Sequence, residues 1–244
     1  MIIKRNIFGQ RLFIKKWLIR VIGFISYNRF SNTLKISGTE IINNLASKNV
    51  LFVSNHQTYF ADGIAILHML NATVNGRKNS LRKSRYLFNP KLNIYFIAAK
   101  ETMNKGLLPK ILSYTGSISI KRTWREGQKN IVRDVSNIDI SNINKALKDG
   151  WVITFPQGTT KAWAPIRKGT AHIIKENKPI VVPIVIDGFR RSFDKKGLYI
   201  KKKGATQKMV IKKPLEIDYE ASIEDITKKI GLAIHQDISQ KIVS

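Results

Sequence analysis

This sequence predicts an α/β fold, a mainly parallel or mixed sheet flanked by helices, and three observations predict it. Short apolar runs without alternation, Val50 to Val53, Trp151 to Phe155 and Ile180 to Ile186, read as strands buried on both faces. Segments of helical period separate them, so strand and helix alternate along most of the chain. The 244 residues include no cysteine, so the core must stand without disulfides, which the length allows.

The first element is a helix. From Phe8 to Phe30, the residues Phe8, Leu12, Phe13, Trp17, Val21, Phe24 and Ile25 recur at helical spacing among Arg11, Lys15, Lys16, Arg20 and Arg29. That pattern predicts a basic amphipathic helix lying in a membrane interface. Residues 1–33 are therefore expected to associate with membranes, ahead of a folded unit at 34–244. No run approaches the ~20 apolar residues needed to cross a bilayer. A cleaved signal is not expected either, because charge interrupts the apolar stretch and no small-residue cleavage site follows.

A short strand follows at Leu34 to Ser37 and a short helix at Glu40 to Ala46. Beyond the buried run from Val50, Gly63 to Leu70 reads as a helix with Asp62 in its first turn. Asn71 to Asn89 is a basic connection carrying Arg77, Lys78, Arg82, Lys83 and Arg85. Connections of that length inside a domain are often functional. Asn93 to Ala99 is another buried strand, followed by a helix from Leu107 to Tyr114. Gly116 to Lys121 alternates like a strand and leads into a polar loop at Arg122 to Gly127.

Ile138, Ile143, Ala146 and Leu147 mark a helix that Gly150 stops. After the strand at Trp151 come a helix from Thr170 to Glu176 and the strand at Ile180, which Pro183 interrupts. Leu198 to Lys202 and Met209 to Ile211 read as two more strands. A last helix sets Ile223, Ile226, Ile230, Ile234 and Ile238 on one face.

The formal charge is +27 and the isoelectric point about 10.4. Such a field favours anionic partners. Part of the excess is compositional, since Lys, Ile and Asn are the residues of A/T-rich codons. No zinc-finger spacing, basic heptad array or aromatic-basic strand signature is present, so the charge is read toward an anionic membrane surface and no nucleic acid. The histidines His56, His68, His172 and His235 lack ligand spacing, so no metal is expected.

Two strand exits carry the chemistry. After Val53 come Ser54-Asn55-His56-Gln57-Thr58-Tyr59-Phe60-Ala61-Asp62; within the strand at Trp151 begins Phe155-Pro156-Gln157-Gly158-Thr159-Thr160-Lys161. A neutral imidazole takes a proton from an attacking hydroxyl, and a carboxylate on its other nitrogen fixes the tautomer. Asp62 is the only acidic residue between Glu40 and Glu101, which makes it the local partner for His56. In the second segment Gly158 permits close approach to the backbone, and hydroxyls with Lys161, Arg167 and Lys168 nearby suit an anion.

Asn55-His56 with a nearby Asp, then Gly116 to Arg122, then Phe155-Pro156-x-Gly158-Thr159, then Val182-Pro183-Ile184 resemble the four ordered blocks of the glycerolipid acyltransferases. This is the superfamily of the 1-acylglycerol-3-phosphate acyltransferases. The likeness runs from about Val50 to Ile186, and Lys168-Gly169 falls at the family's Lys-Gly step. It implies a glycerol-3-phosphate acyltransferase-like fold with His56 as general base and Asp62 orienting it. Asn55, Arg122, Gln157, Gly158 and Thr159 would bind substrate, with Lys161 added here on grounds of charge.

Three departures accompany the resemblance. Five residues separate His56 from Asp62 where the family has four. On a continuous helix one extra residue turns Asp62 by ~100°, so the stretch before it must bulge. Gln157 stands where the family has Glu. Thr160 stands where it has Arg, which removes a bidentate phosphate donor.

The resemblance implies an acyltransferase without a cofactor, using acyl-ACP (acyl-carrier protein) or acyl-CoA as co-substrate and a lysophospholipid acceptor. Its product would be phosphatidic acid, made peripherally at the cytoplasmic face of the cell membrane. Two rivals stand beside it. One is an O-acyltransferase for a phosphate-free lipid such as an N-acyl amino acid, the other a non-catalytic basic membrane- or nucleic-acid-binding protein.

Overall fold

A computed structural model describes residues 4–103, 106–120 and 137–241. Its first half contains α1 (Leu12–Phe30), β1 (Leu34–Ser37), α2 (Glu40–Asn43), β2 (Val50–Ser54) and α3 (Ala61–Val74). A 3₁₀ turn (Ser84–Phe88) precedes β3 (Ile94–Ala99), α4 (Lys100–Met103), α5 (Leu107–Tyr114) and β4 (Ser117–Ile120). The second half contains α6 (Asn137–Asp149), β5 (Trp151–Thr154), α7 (Lys168–Asn177), β6 (Ile180–Asp187) and α8 (Phe189–Ser192). β7 (Gln207–Ile211), α9 (Ile223–Ala233) and α10 (Ile238–Lys241) complete it.

The strands form one sheet in the order β1-β7-β6-β2-β5-β3-β4. Neighbours run parallel except β6 and β7, which are antiparallel. β2 lies between β6 and β5 and is buried along its whole length, as a continuous apolar run requires. Its residues alternate between two cores. Val50 and Phe52 join Phe30, Ala65, Met69 and Leu70 from α1 and α3. Leu51 and Val53 join Leu147, Ala171, Ile174 and Ile230 from α6, α7 and α9. The fold is the predicted one, with helices on both faces.

α1 packs on the core with only part of its surface. Its buried residues are Lys15, Gly23, Ser26 and Phe30, whereas Phe13 and Trp17 are 60% and 59% exposed and Phe24 and Ile25 also face out. Small and polar groups therefore share the internal contact with Phe30. Gly23 lies against Leu87, and Ser26 bonds His68. No helix among the described residues is long and apolar enough to cross a membrane.

Two predicted elements differ. The strand expected at Leu198 to Lys202 is absent; Ile200 makes only an isolated bridge to Phe193. The chain there is a turn organised by Asp194, whose carboxylate accepts from the amides of Lys196, Leu198 and Tyr199. The last helix does not run through to Ile238. It ends at Ala233, His235 takes a left-handed φ of 56°, and α10 begins afresh. Ile234 is still buried in the core, which explains the misleading periodicity. The polar loop at Arg122 to Gly127 lies outside the described residues.

Candidate active site

β2, β3, β4 and β5 end at one rim, where a cleft of roughly 1150 Å³ opens. His56 leaves the end of β2 and lines it, and its ring stacks on Phe155 at 4.1 Å between centroids. The side chain is only 12% exposed. His56 Nδ1 donates to Asp62 Oδ2 at 2.9 Å. That contact leaves Nε2 as the nitrogen available to the cleft.

The extra residue between them is absorbed before α3 begins. Gln57 to Phe60 bend rather than coil, so Asp62 in the first helical turn folds back over them. Its carboxylate is fully buried and also accepts the amides of Gln57 and Thr58, while Oδ1 takes the Thr58 hydroxyl at 2.6 Å. A negative group at a helix N-terminus is itself favourable. These donors fix the carboxylate in place, with Oδ2 turned toward the imidazole.

The second segment forms a tight turn in which the Gly158 amide donates to Phe155 O at 2.9 Å. Gly158 has φ +61°, and a β-carbon there would lie 2.7 Å from Arg167 Nε. Gly158, Thr159 and Arg167 line the cleft beside the start of α7, including Lys168, Gly169 and His172. Arg167 Nε donates to Gln157 O, tying guanidinium and turn together. Elsewhere the lining is largely apolar, with Ile64, Leu67 and Phe96 from one core and Ile97, Ile143 and Ile173 from the other.

Other expected residues do different work. Asn55 exchanges both amide atoms with the backbone of Ile186 at 2.8 Å, extending the β2–β6 pairing past the last strand residue. That occupies the side chain expected to touch substrate. Gln157 is buried, is absent from the cleft lining, and donates to Ala164 O and Gln236 Oε1. It ties the turn to the segment after α9. Lys161 is exposed and outside the lining. Arg122 lies outside the described residues.

Sequence reasoning assigned no specific contact to three contributors. Thr58 is one, a hydroxyl two positions after the histidine with no signal of its own. Phe155 is another, placed in the second segment but given no contact with His56. Arg167 is the third, read as charge suited to an anion near the turn, and its guanidinium bonds the turn backbone directly.

The family model described as Acyltransferase matches residues 33–187. The 1-acyl-sn-glycerophosphate (LPA) acyltransferase PlsC from Thermotoga maritima has a similar structure, with a TM-score of 0.53 at 16% identity. The match covers 93% of this chain and 79% of that one. No curated protein sequence matches.

Proposed function

Because the chain belongs to the acyltransferase family, we propose that this O-acyltransferase moves a fatty acyl group from acyl-ACP or acyl-CoA to the free hydroxyl of 1-acyl-glycerol-3-phosphate. The observation that carries the reading is the 2.9 Å contact of His56 with buried Asp62 at the rim of an apolar cleft. As the acceptor hydroxyl attacks the thioester carbonyl, His56 Nε2 takes its proton. The new C–O bond forms, the C–S bond breaks, and the imidazolium returns the proton to the leaving thiolate. Asp62 holds Nδ1–H throughout and stabilises the charged ring.

The apolar lining suits acyl chains, and Arg167 at the Gly158 turn suits the acceptor phosphate. Thr160 in place of arginine favours a second reading, a lipid acceptor without phosphate. The outward Phe13, Trp17 and Phe24 of α1 support peripheral attachment to an anionic membrane, proposed to be the cytoplasmic face of the cell membrane.

The test is transfer of labelled acyl from acyl-ACP to 1-acyl-glycerol-3-phosphate on anionic vesicles. His56→Ala is expected to lower turnover by about 10²- to 10⁴-fold. Arg167→Ala is expected to raise the KM of the phosphate acceptor and leave that of a phosphate-free analogue alone. Equal wild-type turnover of both acceptors would remove the phosphate from the proposal. Full activity in His56→Ala would remove the mechanism.

A further inference from the structure

The turn at Asp194 to Tyr199 lies beyond the stretch that matches the family, yet it touches the His56–Asp62 segment directly. The amide of Tyr59 donates to Lys195 O at 3.2 Å and that of Phe60 to Lys196 O at 2.9 Å. Both amides stand just ahead of α3, where Phe60 is the N-cap and no side-chain cap is present. The helix start has borrowed its partners from a distant turn.

Gly197 brings the two segments into still closer contact. Its φ is +76°, and a β-carbon there would lie 2.6 Å from Ala61 N and 2.8 Å from Thr58 Oγ1. No side chain fits at that position without moving one segment or the other. Thr58 Oγ1 is the same atom that donates to Asp62 Oδ1. The turn is held rigidly in its own right. Asp194 Oδ1 accepts from Leu198 at 2.8 Å and Tyr199 at 2.9 Å, Oδ2 accepts from Lys196 at 3.1 Å, and Asp194 N donates to Tyr199 O at 3.0 Å.

We propose that this turn is a positioning element for the catalytic pair: it clamps Tyr59 and Phe60 in the bulge that lets Asp62 reach His56 across five intervening residues. Gly197 and Asp194 are its positioning residues. The inference rests on the acyltransferase reading of His56. It adds a reason why this chain keeps a working pair at a spacing one residue too long. Without the clamp the bulge is free to relax into helix, and each residue of added helix turns Asp62 by about 100° away from the imidazole.

The experiment follows two readouts in the full chain, steady-state kinetics and the Nδ1 proton of His56 in protein labelled with ¹⁵N-histidine. With four histidines in the chain, His56→Ala assigns the signal. Gly197→Ala and Asp194→Ala are expected to weaken the downfield His56 Nδ1 proton and to lower kcat by about 10- to 100-fold. The acceptor KM should stay unchanged. Asp194→Asn, whose oxygen still accepts from Leu198 and Tyr199, should restore most of the rate. In an Asp62→Asn background, Gly197→Ala should cost little more, since the turn acts through Asp62.

An undisturbed proton signal and full kcat in both turn variants would overturn the positioning role while leaving the reaction standing. A wild-type signal that responds to the turn, with no acyl transfer in any assay, would overturn the reaction while leaving the positioning intact. A wild type with no such proton would end both. Cooperative thermal unfolding of Asp194→Ala, whose side chain is on the surface of the turn, separates these outcomes from loss of the fold.

Discussion

Asp62 and His68 show opposite uses of a buried polar group. Asp62 is fully buried and collects donors from His56, Gln57 and Thr58, so its charge is satisfied where it sits. Thr58→Val removes the 2.6 Å hydroxyl bond and is expected to lower kcat by about tenfold, while Thr58→Ser should keep it. His68 is buried between Ser26 Oγ and Tyr86 OH, both at 2.8 Å, and desolvation lowers its pKa to about 4. The unfolded chain takes up that proton near pH 6.5 and the folded one only near 4, so stability is complete above 6.5 and falls as pH drops between the two values. The full span is worth on the order of 3 kcal/mol. Urea midpoints measured from pH 7 to pH 4 should fall in the wild type, and much less in His68→Gln. Parallel slopes would assign the acid sensitivity to other groups. The sequence disclosed His56 and Asp62 as residue types at a strand exit. It did not disclose their contact, because a local bulge, a distant turn and one threonine hydroxyl decide it.

At the scale of elements, legibility followed burial. β2, β5 and β6 announced themselves because strands covered on both faces are continuous apolar runs. The segment after Phe193 misled because Leu198, Tyr199 and Ile200 look like a strand, while Asp194 three residues before Gly197 is the turn signal that prevails. α1 was legible as a helix, but the glycine, serine and lysine of its inner face were not. Lys15 is the extreme case. It is fully buried, its Nζ donates to Ile94 O at 3.4 Å and lies 4.5 Å from the Tyr95 ring centroid. Burial lowers its pKa to about 8, against a weaker attraction from Asp149. The folded protein therefore bears the cost of a buried ammonium below pH 8, and stability rises from pH 8 to 10.5 as the folded form sheds the proton first. Lys15→Met is expected to be more stable than wild type at pH 7 by about 1–3 kcal/mol, with the gap closing toward pH 10. Denaturant midpoints at the two pH values decide it. A destabilised Met variant at pH 7 would mean that the bond to Ile94 outweighs the desolvation.

Over the whole molecule, the proposed membrane attachment would draw on the +27 charge and the outward face of α1 through different ranges. The charge attracts an anionic bilayer at distances up to the Debye length, about 10 Å at 0.1 M salt and about 3 Å at 1 M. Phe13, Trp17 and Phe24, joined by Phe88 edge-on against Phe24 at 5.4 Å, would act only once in the interface. Salt removes the first contribution and leaves the second. Vesicle co-sedimentation across a salt series should therefore separate them. Wild-type binding to anionic vesicles is expected to weaken between 0.1 and 1 M salt without vanishing. A Phe13→Ser, Trp17→Ser double variant should bind at 0.1 M salt and be released at 1 M. Complete release of the wild type at 1 M would make attachment purely electrostatic and leave the exposed aromatic face without a membrane role. Binding of the double variant at 1 M would move the apolar contact away from α1. The same assay bears on catalysis, because the cleft opens at a rim of the sheet whose covering helices include α1. An enzyme held by inserted side chains keeps its cleft at a fixed height above the lipid, whereas one held by charge alone does not. Acyl transfer in the double variant should accordingly fall at 0.1 M salt even while binding persists.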